Sequence, residues 1–286
     1  MEDMKKKTSH FLWGSLIGLV FLCIGVFAWI TLYMLRESES TITRVVNLYM
    51  EEMNGQLQRH FDSLIQMRML QVEGITEVVP PESVDELDED VIARLAESGK
   101  KRDFIYMALY NNEGEEFVIY GDPVDVVNKD HFIEAMNRDE KIAATGTTES
   151  GDRLLLYGIS VGYPRSVGYP LPDGSQCTAL AVGLPIEKLN EALALGMDDG
   201  LNFSHIIRKD GSFVVQNGEL PYDNYYDWLR EEAVFEGIDG EEAIAGLEEA
   251  VNSEDSYTLV FSFAGERRHV YCSHMNNSEW SLVTIM

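Results

Sequence analysis

The sequence has few cysteines, because only Cys23, Cys177 and Cys272 occur in 286 residues. Cys23 lies in an apolar run near the N-terminus, so the remainder of the chain has a single pair available. One pair so distant in sequence is not the framework of a small disulfide-stapled protein. We therefore expect Cys177 and Cys272 to be two free thiols buried in strands, which says little about the redox compartment.

Basic residues are also scarce. The chain carries 22 lysines and arginines against 49 aspartates and glutamates, which gives a formal net charge of −27. A surface this acidic repels phosphate backbones, so no nucleic acid is expected as a partner. Hydrophobic residues still make up 45% of the sequence, which is enough for a packed core and too much for general disorder.

Catalytic and metal-binding signatures are missing as well. The sequence contains no G-x-S-x-G elbow, H-E-x-x-H pair, phosphate-binding P-loop or G-x-G-x-x-G turn. His269, Cys272 and His274 lie close together, but on a strand Cys272 and His274 share one face while His269 points to the other. We therefore predict no catalytic residue, no metal and no cofactor within these residues.

One long apolar run is present. Residues 11–35 read FLWGSLIGLVFLCIGVFAWITLYML and contain no charged side chain. As a helix this run is about 37 Å long, enough to cross a hydrocarbon layer about 30 Å thick. Lysines at positions 5–7 precede it, so the positive-inside rule places residues 1–10 in the cytoplasm and residues 36–286 outside the plasma membrane. A cleaved signal peptide is the alternative, but its apolar core would be shorter.

No proline occurs before Pro80. We predict a long signalling helix over residues 36–79 that ends at Pro80 and Pro81, since proline lacks an amide donor and restricts its predecessor. Its narrow apolar seam suits packing against its own domain or against a second copy in a homodimer, and different stretches can do each. The seam consists of Ile42, Val46, Tyr49, Met53, Leu57, Phe61 and Leu64.

From residue 104 the apolar pattern changes from helical spacing to alternation, which predicts strands. After a short helix over 88–98, a hairpin around the turn NNEG, a helix over KDHFIEAMN, three strands and a closing helix at 185–195 follow. The same order then recurs as a hairpin around KDG, two helical stretches at 222–235 and 241–251, and a three-stranded meander. This repeat predicts an α+β fold with two antiparallel sheets, each flanked by helices.

In this order of elements the sequence resembles the double Cache family of bacterial extracytoplasmic sensors, which carry two PAS-like modules in tandem. The segment NKDHFIEAM at 128–136 is similar to the family's distal helix. The segments IIRKDG at 206–211 and WSLV at 280–283 are similar to its proximal hairpin and closing strand. The resemblance covers residues 36–286 and implies a membrane-distal module over 80–195 and a membrane-proximal module over 196–286.

The resemblance also implies a ligand site in the distal module, with departures from the amino-acid-binding members. Lys129 stands where those members have an arginine that grips the ligand carboxylate, His131 where they have an aromatic residue, and Gly183 where an aspartate binds the ammonium. A lysine and a histidine suit an anionic small molecule, such as a carboxylate, better than a free amino acid.

Four tyrosines on or beside predicted strands are candidate pocket walls, because their rings are amphipathic. Core positions for these tyrosines, and surface positions for the lysine and the histidine, are the alternatives. The candidate ligand-binding residues are thus Lys129, His131, Tyr106, Tyr120, Tyr157 and Tyr163.

We therefore expect the signal-input region of a transmembrane receptor that senses a small molecule outside the cell. The expected output domain, beyond residue 286, is that of a sensor histidine kinase, a diguanylate cyclase or a chemoreceptor. Nothing in these residues separates the three, although the first two are the commoner partners of this kind of input, and whether the whole receptor is an enzyme depends on that domain. A membrane-anchored extracytoplasmic hydrolase is one alternative. A surface adhesion or structural protein without a small ligand is the other.

Overall fold

The computed structural model describes residues 2–161, 167–189, 203–216, 221–235 and 237–286, and for residues 2–20, 39, 40 and 43 it describes only the helical backbone. The chain divides into two units, Met1–Tyr49 and Met50–Met286. Helix α1 (Glu2–Val78) supplies all of the first unit's described structure and begins the second unit. It runs without a break through residue 35, where the sequence predicted a boundary between two helices.

The first unit contains a stretch that could cross a membrane. Among the described side chains, Phe21–Ser38 form the one helical segment long and apolar enough, with a mean hydropathy of 1.4. All of its side chains are exposed, as they would be when facing lipid. The anchor predicted at 11–35 overlaps this segment, whereas the side chains of residues 11–20 and of the tail predicted at 1–10 lie outside the described residues.

In the second unit, one face of α1 is buried. The predicted seam is buried against the sheets at Leu57 and Phe61, whereas Ile42 and Tyr49 in the first unit are 60% and 51% exposed. Packing of this first part of the seam against a second copy, the other arrangement that the sequence allows, stays a prediction. The buried face consists of Met50, Asn54, Leu57, Phe61, Ile65, Met69, Val72 and Ile75.

The first sheet is antiparallel, with strand order β2-β1-β8-β5-β4-β3. Helix α2 (Glu89–Lys100) precedes it and α3 (Lys129–Asn137) lies on one of its faces, both close to their predicted bounds. Strand β3 was not predicted, because three residues are too few to show alternation. The strands are β1 (Tyr106–Tyr110), β2 (Glu116–Tyr120), β3 (Val124–Val126), β4 (Ile142–Thr148), β5 (Arg153–Ser160) and β8 (Ala179–Pro185), with a separate short pair β6 (Tyr169–Pro170) and β7 (Gln176–Cys177).

The second sheet is also antiparallel and has the order β10-β9-β13-β12-β11. The two sheets share one pattern. The first strand of the opening hairpin (β1 or β9) pairs with the last strand of the sheet (β8 or β13), which in turn pairs with β5 and then β4 in the first sheet, and with β12 and then β11 in the second. Helices α4 (Tyr225–Glu232) and α5 (Gly240–Ser253) are the two predicted helical stretches, whereas the helix predicted at 185–195 falls largely outside the described residues. The strands are β9 (Phe203–Arg208), β10 (Phe213–Val215), β11 (Tyr257–Phe263), β12 (Glu266–His274) and β13 (Trp280–Ile285).

The described residues of the second unit form three apolar clusters. One packs α3 on the first sheet, and another packs α4 and α5 on the second sheet. The third joins the buried face of α1 to both sheets, through residues such as Leu109 of β1 and Leu282 of β13. Each sheet therefore has its own outer helical layer, but the two sheets share one core along α1. Cys177 and Cys272 are buried and free, as expected.

Replacement of Phe61 by alanine should destabilise the second unit. The side chain is fully buried in the cluster shared by α1 and both sheets. The cavity left behind is expected to lower the free energy of unfolding by about 3–5 kcal/mol. Urea denaturation of the purified chain in detergent, followed by tryptophan fluorescence, measures the change. Val234→Ala is the control, since Val234 is 63% exposed; equal effects of the two substitutions would contradict a core role for Phe61.

Candidate functional site

A cavity of about 240 Å³ lies where the first sheet meets the second. Its walls come from α3 and β4 on one side, and from the turn between β9 and β10 and the start of β13 on the other. Phe132, Ile142 and the buried Trp280 supply apolar surface. The side chains with polar or charged groups are Asn128, His131, Thr145, Arg208, Lys209, Asp210 and Glu279.

The start of α3 places two polar side chains at this cavity. Asn128 precedes the helix in a left-handed conformation with φ 54°, which asparagine tolerates better than most residues. Its side chain makes no capping hydrogen bond to the helix; instead its Nδ2 donates to Glu279 Oε2 at 2.6 Å. His131, in the first turn of α3, has its Nε2 3.8 Å from Glu279 Oε1. One carboxylate thus meets both residues.

Arg208, the last residue of β9, is the main cation of the cavity. Its Nη2 donates to the Thr145 hydroxyl at 2.7 Å, and its Nη1 donates to Ser212 Oγ at 3.0 Å and to the Phe213 carbonyl at 3.2 Å. Its Nε is buried without a hydrogen-bond partner in the described part of the chain. Burial and the nearby Arg153 lower the pKa of Arg208, while Asp210 acts in the opposite direction. An arginine stays charged in spite of such shifts.

The neighbouring charged groups are already engaged. The Asp210 carboxylate accepts hydrogen bonds from the Ser212 amide at 2.9 Å and from the Ser212 hydroxyl at 2.6 Å. Burial opposes its ionisation, but these hydrogen bonds and the charge of Arg208 outweigh burial and lower the pKa of Asp210. Lys209 pairs with Glu254 at 3.3 Å. Among the ion pairs of the described residues none includes Arg208, although the charge of Asp210 acts on it.

Of the residues predicted for the site, His131 lines this cavity and Lys129 does not. Lys129 is half-buried at the first position of α3, and its Nζ lies 5.8 Å from the centre of the Tyr110 ring. Tyr106 lies on the same side of the sheet, in the apolar cluster beneath α3. Helix α3 therefore brings Lys129 near Tyr110 and His131 near the second sheet.

The space between α3 and the first sheet is filled by side chains. The Tyr106 hydroxyl donates to Glu116 Oε1 at 2.7 Å and lies 2.9 Å from the Tyr110 hydroxyl, and burial raises the pKa of both tyrosines. A Cβ added to Gly158 would lie 2.5 Å from Met136 Sδ and 2.7 Å from Phe132 Cζ. Contacts this short leave no room for a ligand between helix and sheet at Gly158.

Tyr120 and Tyr157 lie on the other face of the first sheet. Tyr157 alternates with Leu154 and Leu156 on β5 and belongs to the cluster shared with α1. Tyr120 packs against that same cluster, and its hydroxyl donates to the Phe104 carbonyl at 3.1 Å. Neither residue lines the cavity, and Tyr163 lies outside the described residues.

Gly183 lies where the family resemblance implied an aspartate. A Cβ at this position would lie 3.1 Å from Tyr106 Cβ and 3.2 Å from two leucine side chains. A larger side chain would displace these neighbours, so the packing of the sheet favours glycine over an aspartate at this position. Within the described part of the chain, no group of three His, Cys, Asp or Glu residues could hold a metal ion.

The sequence did not point to Asn128, Arg208 or Glu279 as site residues. Arg208 has one visible signal, since it is a charged residue at the end of the buried strand FSHIIR. Asn128 and Glu279 show no such signal in the sequence, because their hydrogen bond joins positions 151 residues apart.

Replacement of Thr145 by valine should weaken the junction between the two sheets. Thr145 is 3% exposed, and valine keeps its shape while removing the hydroxyl that accepts from Arg208. A buried guanidinium without this acceptor should cost about 1–3 kcal/mol of folding free energy, measurable as a lower denaturant midpoint. Thr147→Val, at an exposed position of the same strand, should change the midpoint little; a neutral result for both would contradict the importance of this contact.

No family model matches the sequence, and no curated protein matches it. Solved structures are nevertheless similar in fold. The sensory domain of the Campylobacter jejuni chemoreceptor Tlp3 superposes with a TM-score of 0.55 at 12% identity, covering 86% of this chain and 95% of that one.

Two Pseudomonas structures match equally well. The ligand-binding domain of the P. fluorescens chemoreceptor CtaA, in complex with L-isoleucine, gives a TM-score of 0.57 at 11% identity and covers 86% of this chain and 94% of its own. The corresponding domain of the P. aeruginosa PAO1 amino acid chemoreceptor PctB, in complex with L-Arg, gives a TM-score of 0.55 at 11% identity. The match covers 83% of this chain and 93% of that one. The chain therefore has the fold of the ligand-binding sensory domains of bacterial chemoreceptors, which is the double Cache fold implied by the sequence resemblance.

Proposed function

We propose that this chain is the extracytoplasmic, small-molecule-sensing input region of a bacterial transmembrane receptor. Three features support the proposal. They are a fold shared with sensory domains over most of the chain, a segment able to cross a membrane, and a cavity lined by Arg208, whose Nε has no hydrogen-bond partner. The cavity is the observation that carries it, because a sensor must hold a ligand. The output domain, a histidine kinase or a diguanylate cyclase in our proposal, would lie outside these residues, since they contain no catalytic motif.

The proposed layout follows the two sheets. Residues 1–10 lie in the cytoplasm, 11–35 cross the plasma membrane, and 36–79 form the signalling helix. Residues 80–195, with the first sheet, are the membrane-distal PAS-like module, and residues 196–286, with the second sheet, are the membrane-proximal one. The common strand order of the two sheets supports a tandem arrangement, and the lysines at positions 5–7 support the orientation.

We propose a small carboxylate as the ligand, bound in the cavity between the sheets. The Arg208 guanidinium offers an Nε without a hydrogen-bond partner and a positive charge that Asp210 only partly offsets, and His131 can add a second donor. Trp280 and Phe132 would cover the hydrocarbon part of the ligand. The filled space beneath α3 and the missing side chain at Gly183 argue against an amino-acid site at the position seen in the family.

A direct structural path leads from this cavity to α1. Strand β13 begins at Trp280 in the cavity wall, and four residues later the Thr284 hydroxyl accepts a hydrogen bond from Asn54 Nδ2 of α1 at 3.1 Å. Ser273 of β12 donates to Asn54 Oδ1 at 2.6 Å. Suppose that β13, and α1 with it, has two positions. A ligand that binds one of them more tightly would shift the equilibrium towards that position, and only by as much as its affinities for the two differ.

Calorimetric titration of the full chain in lipid nanodiscs tests the ligand proposal. We expect at least one of acetate, lactate, succinate and citrate to bind, and Arg208→Gln or His131→Ala to weaken binding about tenfold or more, because each removes a charge-assisted hydrogen bond. Arg94→Gln, which removes an exposed arginine of α2, is the matched control and should bind normally.

The same titration can refute the proposal. Heat from amino acids combined with none from the carboxylates would exclude an anionic ligand. No stabilisation of the chain by any metabolite in a thermal-shift screen would favour the adhesive or structural alternative.

We also propose that α1 forms a homodimer with a second copy. On the side of α1 turned away from the sheets, Met67, Leu70 and Val78 of the second unit are 50%, 58% and 52% exposed. In the first unit, Ile42, Val45 and Tyr49 are exposed at the three- and four-residue spacing of a coiled-coil seam. A second α1 would cover this hydrocarbon.

Oxidative cross-linking tests the dimer. In a Cys23→Ser background, Leu70→Cys should give a covalent dimer in nanodiscs, because the two copies of residue 70 would face each other across the proposed dimer interface. Glu249→Cys, on the exposed side of α5, should stay monomeric. Cross-linking of Glu249→Cys but not of Leu70→Cys would place the interface elsewhere.

A further inference from the structure

Glu279 occupies an unusual position for a carboxylate in a site proposed to bind anions. It is the residue immediately before β13, and its side chain is only 29% exposed. Its two oxygens meet separate groups of the other sheet's helix: Oε2 accepts from Asn128 Nδ2 at 2.6 Å, and Oε1 lies 3.8 Å from His131 Nε2. Glu279 therefore lies at the His131 donor that we propose for the ligand, and it also engages the Asn128 amide at the same cavity.

The local structure around Asn128 supports a dedicated contact. An asparagine before a helix commonly uses its side-chain oxygen to cap the first turn, but Asn128 makes no such bond to α3. Its amide is directed at Glu279 instead, and the left-handed backbone holds it there. The carboxylate also lies near the N-terminal end of α3, where the helix dipole favours a negative charge.

This contact joins the two sheets at the mouth of the cavity. Asn128 and His131 belong to the segment around α3, whereas Glu279 leads directly into Trp280 and β13. A second polar contact runs beside it, where the Ala143 amide donates to the Asn277 carbonyl at 2.8 Å. When Glu279 is displaced, the residue that moves is therefore covalently next to the strand that contacts α1.

We propose that Glu279 is an internal competitor for the ligand: its carboxylate occupies the Asn128 and His131 donors in the free protein, and a bound carboxylate displaces it from them. This proposal rests on the proposed function, because it needs an anionic ligand in the same cavity. Glu279 would then determine both the affinity for the carboxylate and the movement of β13 that follows binding. Ligand binding costs the Glu279 contact, and release of that contact frees the start of β13.

Titration of Glu279 variants in the full chain in nanodiscs tests the competition, with acetate, lactate, succinate and citrate as probes. Glu279→Gln should bind the same carboxylate about fivefold tighter or more, the lower end of typical coupling between two binding events. Glu279→Asp keeps the charge but is shorter by one methylene, so it loses the reach to Asn128 and should also bind more tightly than the unchanged chain. Glu249→Gln removes one charge at an exposed position of α5 and should have no effect.

Each outcome decides one point. If Glu279→Gln binds more tightly while Glu279→Asp matches the unchanged chain, Glu279 acts by charge repulsion alone and the displacement proposal is wrong. If the unchanged chain binds a carboxylate and neither variant binds it more tightly, Glu279 is no competitor, although the anion site stands. If no carboxylate binds to any variant, the proposed anion site fails and the competition fails with it.

Discussion

The docking of α1 into a core shared by both sheets is the constraint on which the second unit depends. Phe61, Ile65, Met69 and Val72 are almost completely buried there, in the same cluster as residues of both sheets. Each sheet covers its outer face with its own helices, but its inner face is left apolar and needs α1. Helix α1, which begins in the first unit, is therefore also the structural centre of the second unit.

A shared core brings the sheets close enough to form a site between them. Thr145 and Arg208 come from different sheets and are 63 residues apart in sequence, yet they are hydrogen-bonded at 2.7 Å. The cavity beside them is framed by α3 on one side and by the start of β13 on the other. This cavity is lined by residues of both sheets, whereas the space beneath α3 borders only the first.

The elements of the fold were largely predictable from the sequence, because alternation and helical spacing are local signals. The bounds of α3 and the succession of strands and helices along the chain follow from such patterns, whereas the pairing of β1 with β8 and of β9 with β13 does not, because it joins distant parts of the chain. The site was not predictable to the same degree. Tyr106 and Tyr157 both lie on central strands, but only the positions of α1 and α3 decide which face each occupies. Asn128 and Glu279 meet through tertiary packing, which no local pattern records.

The contact between α1 and the sheets changes in character along the helix. Near the second sheet, Asn54 is held by hydrogen bonds to Thr284 and Ser273, and Gln58 donates to the His274 carbonyl. Such bonds are worth about 1 kcal/mol each once water can replace them. Further along, Ile65, Met69 and Val72 are held by burial of hydrocarbon, at about 1.5–3 kcal/mol per side chain. The contact of α1 with the sheets is therefore polar at Asn54 and Gln58 and apolar at Ile65, Met69 and Val72.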